Sequence, residues 1–479
     1  MIDTALFNVG PRETRMALLA GDQVVELVVE RTDRPSLVGN IYLGRVTRVV
    51  RGIQAAFVDV GLDRSGYLSA ADARPPESAT SRVPIGHLVH EGEALLVQVQ
   101  KDPLDGKGVR LTTRLTLPGR YLIFTPGRER VVVSHRLEDA ERARLEAKMA
   151  GLAEGGGFIV RTAAAGAEPA ELAADAASVH RLWDELAARR AGAEPPACLY
   201  RELAPFPRAL RDLVGKDVRR VIFDSAAALA DAKRFCEEAM PDLVPRLEVH
   251  RGEAALFDAF AVEEAIERAL APKVALPSGG ALLIERVRAL WAIDVDTVRH
   301  TGGPDFEQTA LRTNLEAAEE IARQLRLRNI GGLIVIDFVH MERSDHRQRV
   351  VEALRAALAE DRAPSRVLGM APLGLVEMTR KRTRESLGEL LTQRCPDCAG
   401  TGRVKTAETI AHDIVRALAR AARAGPLAPV AVLAAPEVAE LVADRERGFA
   451  AEIEAALGHE VELRAEADRA RDSFEVVVE

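Results

Sequence analysis

Two aspartates that each close an apolar run are the residues in this sequence best suited to chemistry. Asp294 follows Trp291-Ala-Ile, and Asp337 follows Gly332-Leu-Ile-Val-Ile. Carboxylates on rigid backbone are hard oxygen ligands of the kind that Mg²⁺ accepts, and this ion keeps several waters and takes phosphate oxygens as further ligands. The pair therefore predicts a magnesium site, although a single aspartate at a strand end is more often a turn residue or a helix cap.

The elements that must position this pair are a strand, a helix and a second strand. The apolar runs 288–296 and 332–338 predict two buried strands. Between them, Asp305 and Gln308 have the spacing of a capping box, and Gly331-Gly332 is the predicted end of the helix. The apolar face of that helix consists of Leu311, Leu315, Ala318, Ala322 and Leu325. A strand, helix and strand form a parallel crossover unit, which brings both aspartates to the carboxyl ends of neighbouring strands.

Four segments around the aspartates resemble the ribonuclease E/G family. They are Trp291–Asp296, Asn314–Arg328, Gly331–Phe338 and Gly374–Arg382. The resemblance extends over about residues 1–405 and implies a Mg²⁺-dependent endoribonuclease of single-stranded RNA that favours 5′-monophosphorylated substrates, acting in rRNA maturation and mRNA turnover. It also implies that Asp294 and Asp337 hold the catalytic Mg²⁺. Asp296, the third acid of the candidate catalytic set, departs from the family, which often has asparagine there, and its carboxylate would either tighten the metal site or reorient the attacking water.

Length and charge set limits on the architecture and on the partners. A chain of 479 residues is too long for one core and predicts several domains. The net charge of −8 argues against a generic binder of polyanions. Basic residues are instead local, in clusters at 323–328, 343–349 and 380–384. Each cluster predicts either a surface that steers RNA or a solvated helix face.

The cysteines and the apolar runs predict the compartment. The sequence has four cysteines, too few and too scattered for a secreted disulfide framework, and Cys198 and Cys236 are predicted to be small buried apolar residues. No signal-like start and no run of membrane-spanning length is present in the sequence. We therefore expect a cytoplasmic protein with no membrane span.

Residues 36–117 contain five short strands separated by glycine turns, which predicts a small OB-type barrel. The pattern resembles an S1 RNA-binding domain, in which Phe57 and Tyr67 match the aromatic positions that stack bases and Lys107 matches a basic position beside them. Stacked bases must be unpaired, so the barrel favours single-stranded nucleic acid. The alternative for Phe57 is a place in the barrel core.

Residues 118–199 resemble the 5′-sensor of the family. The resemblance implies that Gly119, Ile123, Arg161 and Thr162 bind the terminal monophosphate of RNA, because a guanidinium fork, a hydroxyl and backbone N–H groups suit a phosphate dianion. Without the resemblance, a surface arginine and a threonine at a strand end are the default interpretation. A further arginine of the pocket is assigned to either Arg362 or Arg366.

The remaining segments complete an α/β multidomain fold class. Residues 1–35 contain a hairpin signal and, by resemblance, join residues 200–272 in a ribonuclease-H-like subdomain. Residues 273–390 are the expected DNase-I-like catalytic subdomain, entered through a linker between Pro272 and Pro277. Residues 406–479 are expected to form a small C-terminal α/β domain.

Cys395 and Cys398, within 391–405, form a Cys-x-x-Cys pair followed by glycines. Structural zinc takes four ligands, so two thiolates from each of two chains would complete one site. The resemblance supports such a shared structural Zn²⁺, and with it a homodimer or a dimer of dimers joined through this zinc-link. A redox pair or incidental thiols are the alternative, although the glycines favour a metal knuckle over the helix behind a redox pair.

Two other functions compete with RNA cleavage. The first is a non-catalytic RNA-binding protein that keeps the S1-type barrel, against which the intact pair of Asp294 and Asp337 argues. The second is a DNA-directed nuclease with the same metal chemistry, which the S1 pattern disfavours.

Overall fold

A computed structural model describes residues 2–33, 35–73, 83–103, 107–149, 151, 155–297, 306–371, 374–424, 430–444 and 446–478. The chain forms two compact units, Met1–Leu387 and Gly388–Glu479. In the parts of the chain that the structure describes, every helix is too short or too polar to span the hydrocarbon layer of a bilayer.

Both units contain strands and helices. The strands are β1 (Thr4–Val9), β2 (Glu13–Ala20), β3 (Gln23–Arg31), β4 (Ile41–Val50), β5 (Ala55–Asp59), β6 (Gly66–Ser69), β7 (Ala94–Lys101), β8 (Arg110–Thr112), β9 (Leu117–Pro118), β10 (Leu122–Thr125), β11 (Val131–Val133), β12 (Gly157–Val160), β13 (Ala197–Tyr200), β14 (Arg220–Phe223), β15 (Leu247–Val249), β16 (Lys273–Ala275), β17 (Ala281–Arg286), β18 (Trp291–Asp296), β19 (Gly332–Asp337), β20 (Ser365–Met370), β21 (Leu375–Arg380), β22 (Val430–Ala434), β23 (Glu462–Ala465) and β24 (Phe474–Val478). The helices are α1 (Asp139–Met149), α2 (Pro169–Ala191), α3 (Pro205–Leu213), α4 (Ala226–Ala239), α5 (Leu256–Ala259), α6 (Val262–Leu270), α7 (Phe306–Leu327), α8 (Ser344–Ala359), α9 (Leu387–Leu391), α10 (Ala407–Ala424), α11 (Pro436–Ala443) and α12 (Phe449–Leu457).

The first sheet joins the N-terminal strands to a later segment of the chain. Its order is β15-β14-β1-β2-β3. The predicted hairpin is confirmed as β2 and β3, and Gly21 takes the positive φ of 60° that its turn requires. β1 pairs in parallel with β14, so residues from 200–272 complete the sheet that the first residues begin. Cys236 is buried in its core as predicted. Cys198 lies on β13, which pairs with β4 and not with this sheet; it is exposed, so the prediction for it was wrong.

Residues 41–112 form the predicted barrel. Its strand order is β4-β5-β6-β8-β7, and pairing of β4 with β7 closes it. The apolar residues that alternate inward along these strands, such as Val58, Leu68 and Leu111, are fully buried. The five strands predicted for this segment are therefore confirmed.

The region 117–191 contains a four-stranded sheet in the order β11-β12-β10-β9. The predicted strand near residues 119–124 is β10, and the predicted alanine-rich helix is α2. The side chains of Phe124 and Phe158 in its core are fully buried. This region therefore has a core of its own, which extends onto β4 through Ile41 and Leu43.

The sheet that carries the two aspartates has the order β16-β17-β18-β19-β21-β20. β18 and β19 are parallel and connected through α7, so the predicted crossover unit is confirmed. Apolar residues of these strands pack against α7 and α8 in one core, which includes Ile293, Val295, Ile334 and Ile336. We call the opposite side, which carries the exposed residues of the strands, the exposed face of the sheet.

Three details of this sheet differ from the prediction. The first strand begins at Trp291, and residues 281–286 form the separate strand β17 in an antiparallel hairpin with it. The predicted linker between Pro272 and Pro277 contains β16, which pairs with β17. The predicted capping residue Asp305 and the glycines before it lie outside the described residues.

Asn329, rather than Gly331-Gly332, ends α7. Asn329 takes a left-handed φ of 48°, and the N–H of Ile330 donates to the carbonyl of Leu325 at 3.0 Å. This is the closing bond of a left-handed helix cap, for which asparagine is the common alternative to glycine. Gly332, with a φ of 109°, instead begins β19.

The arginine clusters are largely structural. Arg328 is buried and donates to the carbonyl of Ala271, and Arg380 is buried in an ion pair with Asp361. Arg323 pairs with Glu320. Arg328 and Arg380 are therefore not part of a solvated helix face, and RNA steering by the clusters stays a prediction.

The second unit has a three-stranded sheet in the order β23-β22-β24. Apolar residues of α10, α11 and α12 pack with this sheet in a separate core that includes Ile414, Val438 and Ile453. The expected small α/β fold is therefore present over residues 407–478.

Candidate functional site

Asp294 and Asp337 lie side by side on the exposed face of the sheet. They are register partners on the adjacent parallel strands β18 and β19. Their neighbours Ile293, Val295 and Ile336 are buried on the other side. Since side chains alternate along a strand and neighbouring strands lie about 4.8 Å apart, the two carboxylates project from the same face within reach of one ion.

Asp296 follows on the same face, two residues beyond Asp294, and is exposed. The pKa of Asp294 lies above its usual value because of partial burial and then because of the negative charges of Asp296 and Asp337. Like charges at such spacing favour a bound cation. Among the described residues, no group of three His, Cys, Asp or Glu side chains is placed to hold a metal ion. Two carboxylates with open positions for water and phosphate oxygens nevertheless fit Mg²⁺.

An apolar side chain borders the pair on each side. Across the sheet, Leu283 of β17 is the register partner of Asp294, and Leu375 of β21 is the register partner of Asp337. Leu283 is 36% exposed and Leu375 is half-buried. These leucines flank the exposed carboxylates on both sides within the sheet. Sequence reasoning missed Leu283 because it missed β17, although residues 281–284 are four consecutive apolar residues.

The aromatic pair predicted for the barrel is present on its outer surface. Phe57 and Tyr67 are register partners on β5 and β6, with ring centroids 6.1 Å apart and ring planes at 75°. Both side chains are half-buried, and Phe57 is absent from the apolar cluster that fills the barrel. The alternative of a core role for Phe57 is therefore wrong.

Two arginines extend this aromatic pair into a row across four strands. Arg48 of β4 is the register partner of Phe57, and Arg110 of β8 is the register partner of Tyr67. Arg110 is held by the carboxylate of Asp72 at 2.9 Å. Sequence reasoning missed both arginines, although Arg45 and Arg48 of β4 were a visible signal for the first of them.

Lys107 is exposed in the loop before β8. A Cβ atom on the next residue, Gly108, would lie 2.1 Å from the carbonyl oxygen of Ser65. Only glycine allows this approach, which holds the backbone next to Lys107 against Ser65, the residue before β6.

A second cluster of polar groups surrounds Arg161, which follows β12. Its Nη1 donates to the carbonyl of Gly119 at 2.8 Å and pairs with a carboxylate oxygen of Asp212 at 2.8 Å. Arg362 donates from Nη1 and Nη2 to the carbonyls of Asp212 and Leu213, at 3.0 and 2.7 Å. We refer to Gly119, Arg161, Asp212 and Arg362 as the Arg161 cluster.

The other residues predicted for this pocket are placed less directly. Thr162 is exposed next to Arg161. Ile123 is half-buried in β10, as the register partner of Ile159. Arg366 lies on β20 as the register partner of Thr379, whereas Arg362 belongs to the Arg161 cluster. Of the two arginines considered from sequence, Arg362 is therefore the one near Arg161.

Cys395 and Cys398 lie in a tight turn of the second unit. The pKa of Cys398 lies below its usual value because the backbone N–H groups of Gly402 and Gly400 donate to its sulfur. Ala399 and Gly400 have positive φ angles of 48° and 84°. The next helix, α10, begins only at Ala407, which confirms that a glycine turn and not a helix follows the pair. Thiolates stabilised by backbone N–H groups suit zinc.

Comparisons with known proteins agree with this architecture. A family model described as "Ribonuclease E/G family" matches residues 116–383, and one described as "RNase E/G, Thioredoxin-like domain" matches residues 394–478. Ribonuclease G of Escherichia coli (strain K12) is 44% identical over 99% of this chain and 99% of its own length. Ribonuclease G of Haemophilus influenzae is 42% identical with the same coverage. Ribonuclease E of Escherichia coli (strain K12) is 37% identical over 84% of this chain, which corresponds to 39% of that longer protein.

The family model matches more than half of the chain, and the relatives align with nearly all of it. The chain belongs to the ribonuclease E/G family.

Proposed function

We propose that this protein is a Mg²⁺-dependent endoribonuclease that cleaves single-stranded RNA, favours 5′-monophosphorylated substrates and acts in RNA processing and decay. The observation that carries the proposal is the register of Asp294 with Asp337 on the exposed face of one sheet. The names of the relatives, ribonuclease G and ribonuclease E, support the choice of RNA as substrate.

Asp294 and Asp337 would hold the metal through their carboxylate oxygens. When bound, Mg²⁺ supplies an activated water for in-line attack on the scissile phosphate and offsets the charge of the departing 3′ oxygen. Leu283 and Leu375 would give the pair an apolar side chain on each side. Asp296 lies on the same face beyond Asp294, where its carboxylate can accept a hydrogen bond from the attacking water.

The barrel surface would hold the RNA strand. Aromatic rings between two arginines offer a stacking surface for bases and cations for the phosphates on either side. Lys107, exposed in the loop before β8, would add a third cation. Stacking on an aromatic ring accepts any base, so we expect little sequence discrimination from the two rings.

The Arg161 cluster would bind the 5′ end of the RNA. Arg161 and Thr162 supply donors, and Arg362 supplies a second guanidinium whose hydrogen bonds in the structure are to carbonyls. A monophosphate dianion suits this set, because bidentate contacts to guanidinium groups are strong and directional. The backbone amide of Gly119 donates instead to the carbonyl of Leu122 at 2.7 Å, so this residue contributes close packing in our proposal.

Cys395 and Cys398 would bind a structural Zn²⁺ together with the same pair of a second copy, in a homodimer or a dimer of dimers. Their glycine turn and the lowered pKa of Cys398 support thiolate ligation. In the first unit, the strand order β15-β14-β1-β2-β3 supports the ribonuclease-H-like subdomain. The mixed sheet backed by α7 and α8 supports the DNase-I-like catalytic subdomain.

A cleavage assay with and without a chelator tests the proposed reaction. We expect the protein to cut a single-stranded oligoribonucleotide in the presence of Mg²⁺, and we expect EDTA to stop cleavage and added Mg²⁺ to restore it. Binding of RNA without cleavage under all conditions would instead identify a non-catalytic RNA-binding protein. Equal cleavage of a DNA oligonucleotide of the same sequence would contradict the choice of RNA.

Replacement of Phe57 or Tyr67 by alanine should weaken RNA binding by roughly 5- to 160-fold, because stacking on an aromatic ring contributes about 1–3 kcal/mol per base. Fluorescence anisotropy with a labelled oligonucleotide would measure the change. Arg48→Gln is the matched comparison, since it should lower the slope of log affinity against log salt by about one and leave stacking intact. Unchanged affinity in Phe57→Ala and Tyr67→Ala would remove the barrel surface from the RNA path.

A further inference from the structure

Residue 212 joins three parts of the chain through arginines. Arg161 follows β12, Arg211 precedes Asp212 at the end of α3, and Arg362 lies between α8 and β20. The carboxylate of Asp212 pairs with Arg161 at 2.8 Å and with Arg211 at 2.9 Å. The carbonyl of Asp212 accepts from Arg362 at 3.0 Å.

This arrangement leaves one edge of Arg161 available. Its Nη1 carries both of the bonds given above, to Gly119 and to Asp212. Its Nε and Nη2 groups, the two donors of the bidentate fork, have no hydrogen-bond partner among the described residues. A guanidinium anchored at one end and free along the other edge is oriented for a planar or tetrahedral anion before that anion arrives.

Asp212 is itself firmly placed. Burial raises its pKa, but the hydrogen bonds and charges of Arg211 and Arg161 outweigh that effect, so the pKa lies below its usual value and the group is ionised at neutral pH. Arg211 is buried and also pairs with Glu202 at 3.0 Å. The carboxylate therefore belongs to a chain of ion pairs that starts in the interior and ends at Arg161.

We propose that Asp212 is a positioning residue that fixes Arg161 with its free edge toward a 5′-terminal phosphate. The inference rests on the proposed preference for 5′-monophosphorylated RNA and adds the residue that orients its arginine. Because the same residue holds Arg362 through its carbonyl, both guanidinium groups depend on the C-terminal end of α3 for their position.

Steady-state cleavage of two versions of one oligonucleotide, with a 5′-monophosphate or a 5′-hydroxyl, tests this role. Asp212→Asn should raise the KM of the 5′-monophosphate substrate by about tenfold, since a charge-assisted hydrogen bond orients Arg161. The KM of the 5′-hydroxyl substrate should stay within about twofold, because this substrate has no terminal phosphate for Arg161 to contact. Both kcat values should also stay within about twofold, because the contact with the 5′ phosphate is the same in the ground state and in the transition state. A general loss of stability would move both substrates alike, so the difference between them isolates positioning.

Two further variants keep the failure of this inference distinct from failure of the proposed function. Asp217→Asn, an exposed aspartate five residues beyond Asp212, should leave both KM values unchanged. Arg161→Gln should abolish the preference for the 5′-monophosphate.

If Arg161→Gln loses the preference while Asp212→Asn keeps it, the positioning role of Asp212 is wrong and the proposed 5′-sensor stands. A lower KM in Asp212→Asn would also overturn the role, because the carboxylate would then compete with the phosphate. If the wild-type protein shows no preference, the sensor and the inference both fall.

Discussion

Replacing Asp294 or Asp337 by asparagine should lower the rate of RNA cleavage by about 10³-fold, because a metal ligand contributes several kcal/mol and each 1.36 kcal/mol is a factor of ten in rate. Asparagine keeps the size of the side chain and one oxygen but loses the negative charge that Mg²⁺ requires. The two residues are register partners on one face, so each variant removes half of the same site. Single-turnover cleavage at saturating RNA would measure the loss.

RNA binding should survive these substitutions, because the proposed stacking row lies on the barrel and not on the sheet. Glu377→Gln provides the matched control: Glu377 is exposed on β21 of the same sheet, as the register partner of Val335, two residues before Asp337 along β19. It should cleave at close to the wild-type rate. If Asp294→Asn cleaves RNA at the wild-type rate, or if Glu377→Gln loses cleavage to the same extent as Asp294→Asn, the aspartate pair has no specific role in the reaction.

The periodic spacing of apolar residues predicted the barrel and most of the fold around Asp294 and Asp337. The alternation of apolar residues gave the five barrel strands, and the helical period of Leu311, Ala318 and Leu325 gave α7. β16 escaped prediction because it has only three residues and directly follows Pro272, and β17 because its apolar run ends after four residues at Glu285. Their absence from the prediction hid Leu283, and with it the apolar border of the aspartate pair.

Charge patterns were a poorer guide than apolar ones. The cluster at 380–384 contains a buried arginine, Arg380, and an arginine that pairs with Glu26 of β3, Arg384. Sequence shows that such residues are basic, but only tertiary contacts decide whether a guanidinium faces solvent or closes an interior ion pair. The same reason kept Asp212 out of the prediction, since its partners Arg161 and Arg362 are remote in the chain.

The site residues that were assigned through the family resemblance could not be placed from the spacing of residues alone. Spacing in the sequence cannot place Phe57 opposite Tyr67 or bring Arg161 to Gly119, because both contacts require the sheets to form in one register. The structure brings each of these pairs together. Their roles in binding RNA are the proposals that the experiments above address.

The buried ion pair between Asp361 and Arg380 should control the stability of the sheet that carries the aspartates. Arg380 ends β21 and donates from Nε to Asp361 at 2.6 Å and from Nη1 to the carbonyl of Ile330 at 2.8 Å. The exposed fractions of the two side chains are 5% and 3%. Asp361→Asn leaves the arginine charged and unpaired in the interior, which should cost roughly 3–5 kcal/mol.

Hydrogen exchange of the β19 and β21 amides is the suitable measurement, because a chain with two compact units need not unfold in one step. Asp345→Asn is the matched control, since its ion pair with Arg343 is exposed and should contribute nothing measurable to stability.

Replacing both partners, as Asp361→Leu with Arg380→Met, should recover much of the lost stability, because it removes the unpaired charge along with the pair. Equal protection of β21 in Asp361→Asn and Asp345→Asn would show that this pair does not hold the sheet. The double variant should also cleave RNA at close to the wild-type rate, since neither partner touches the aspartate pair and only the stability of its sheet depends on them.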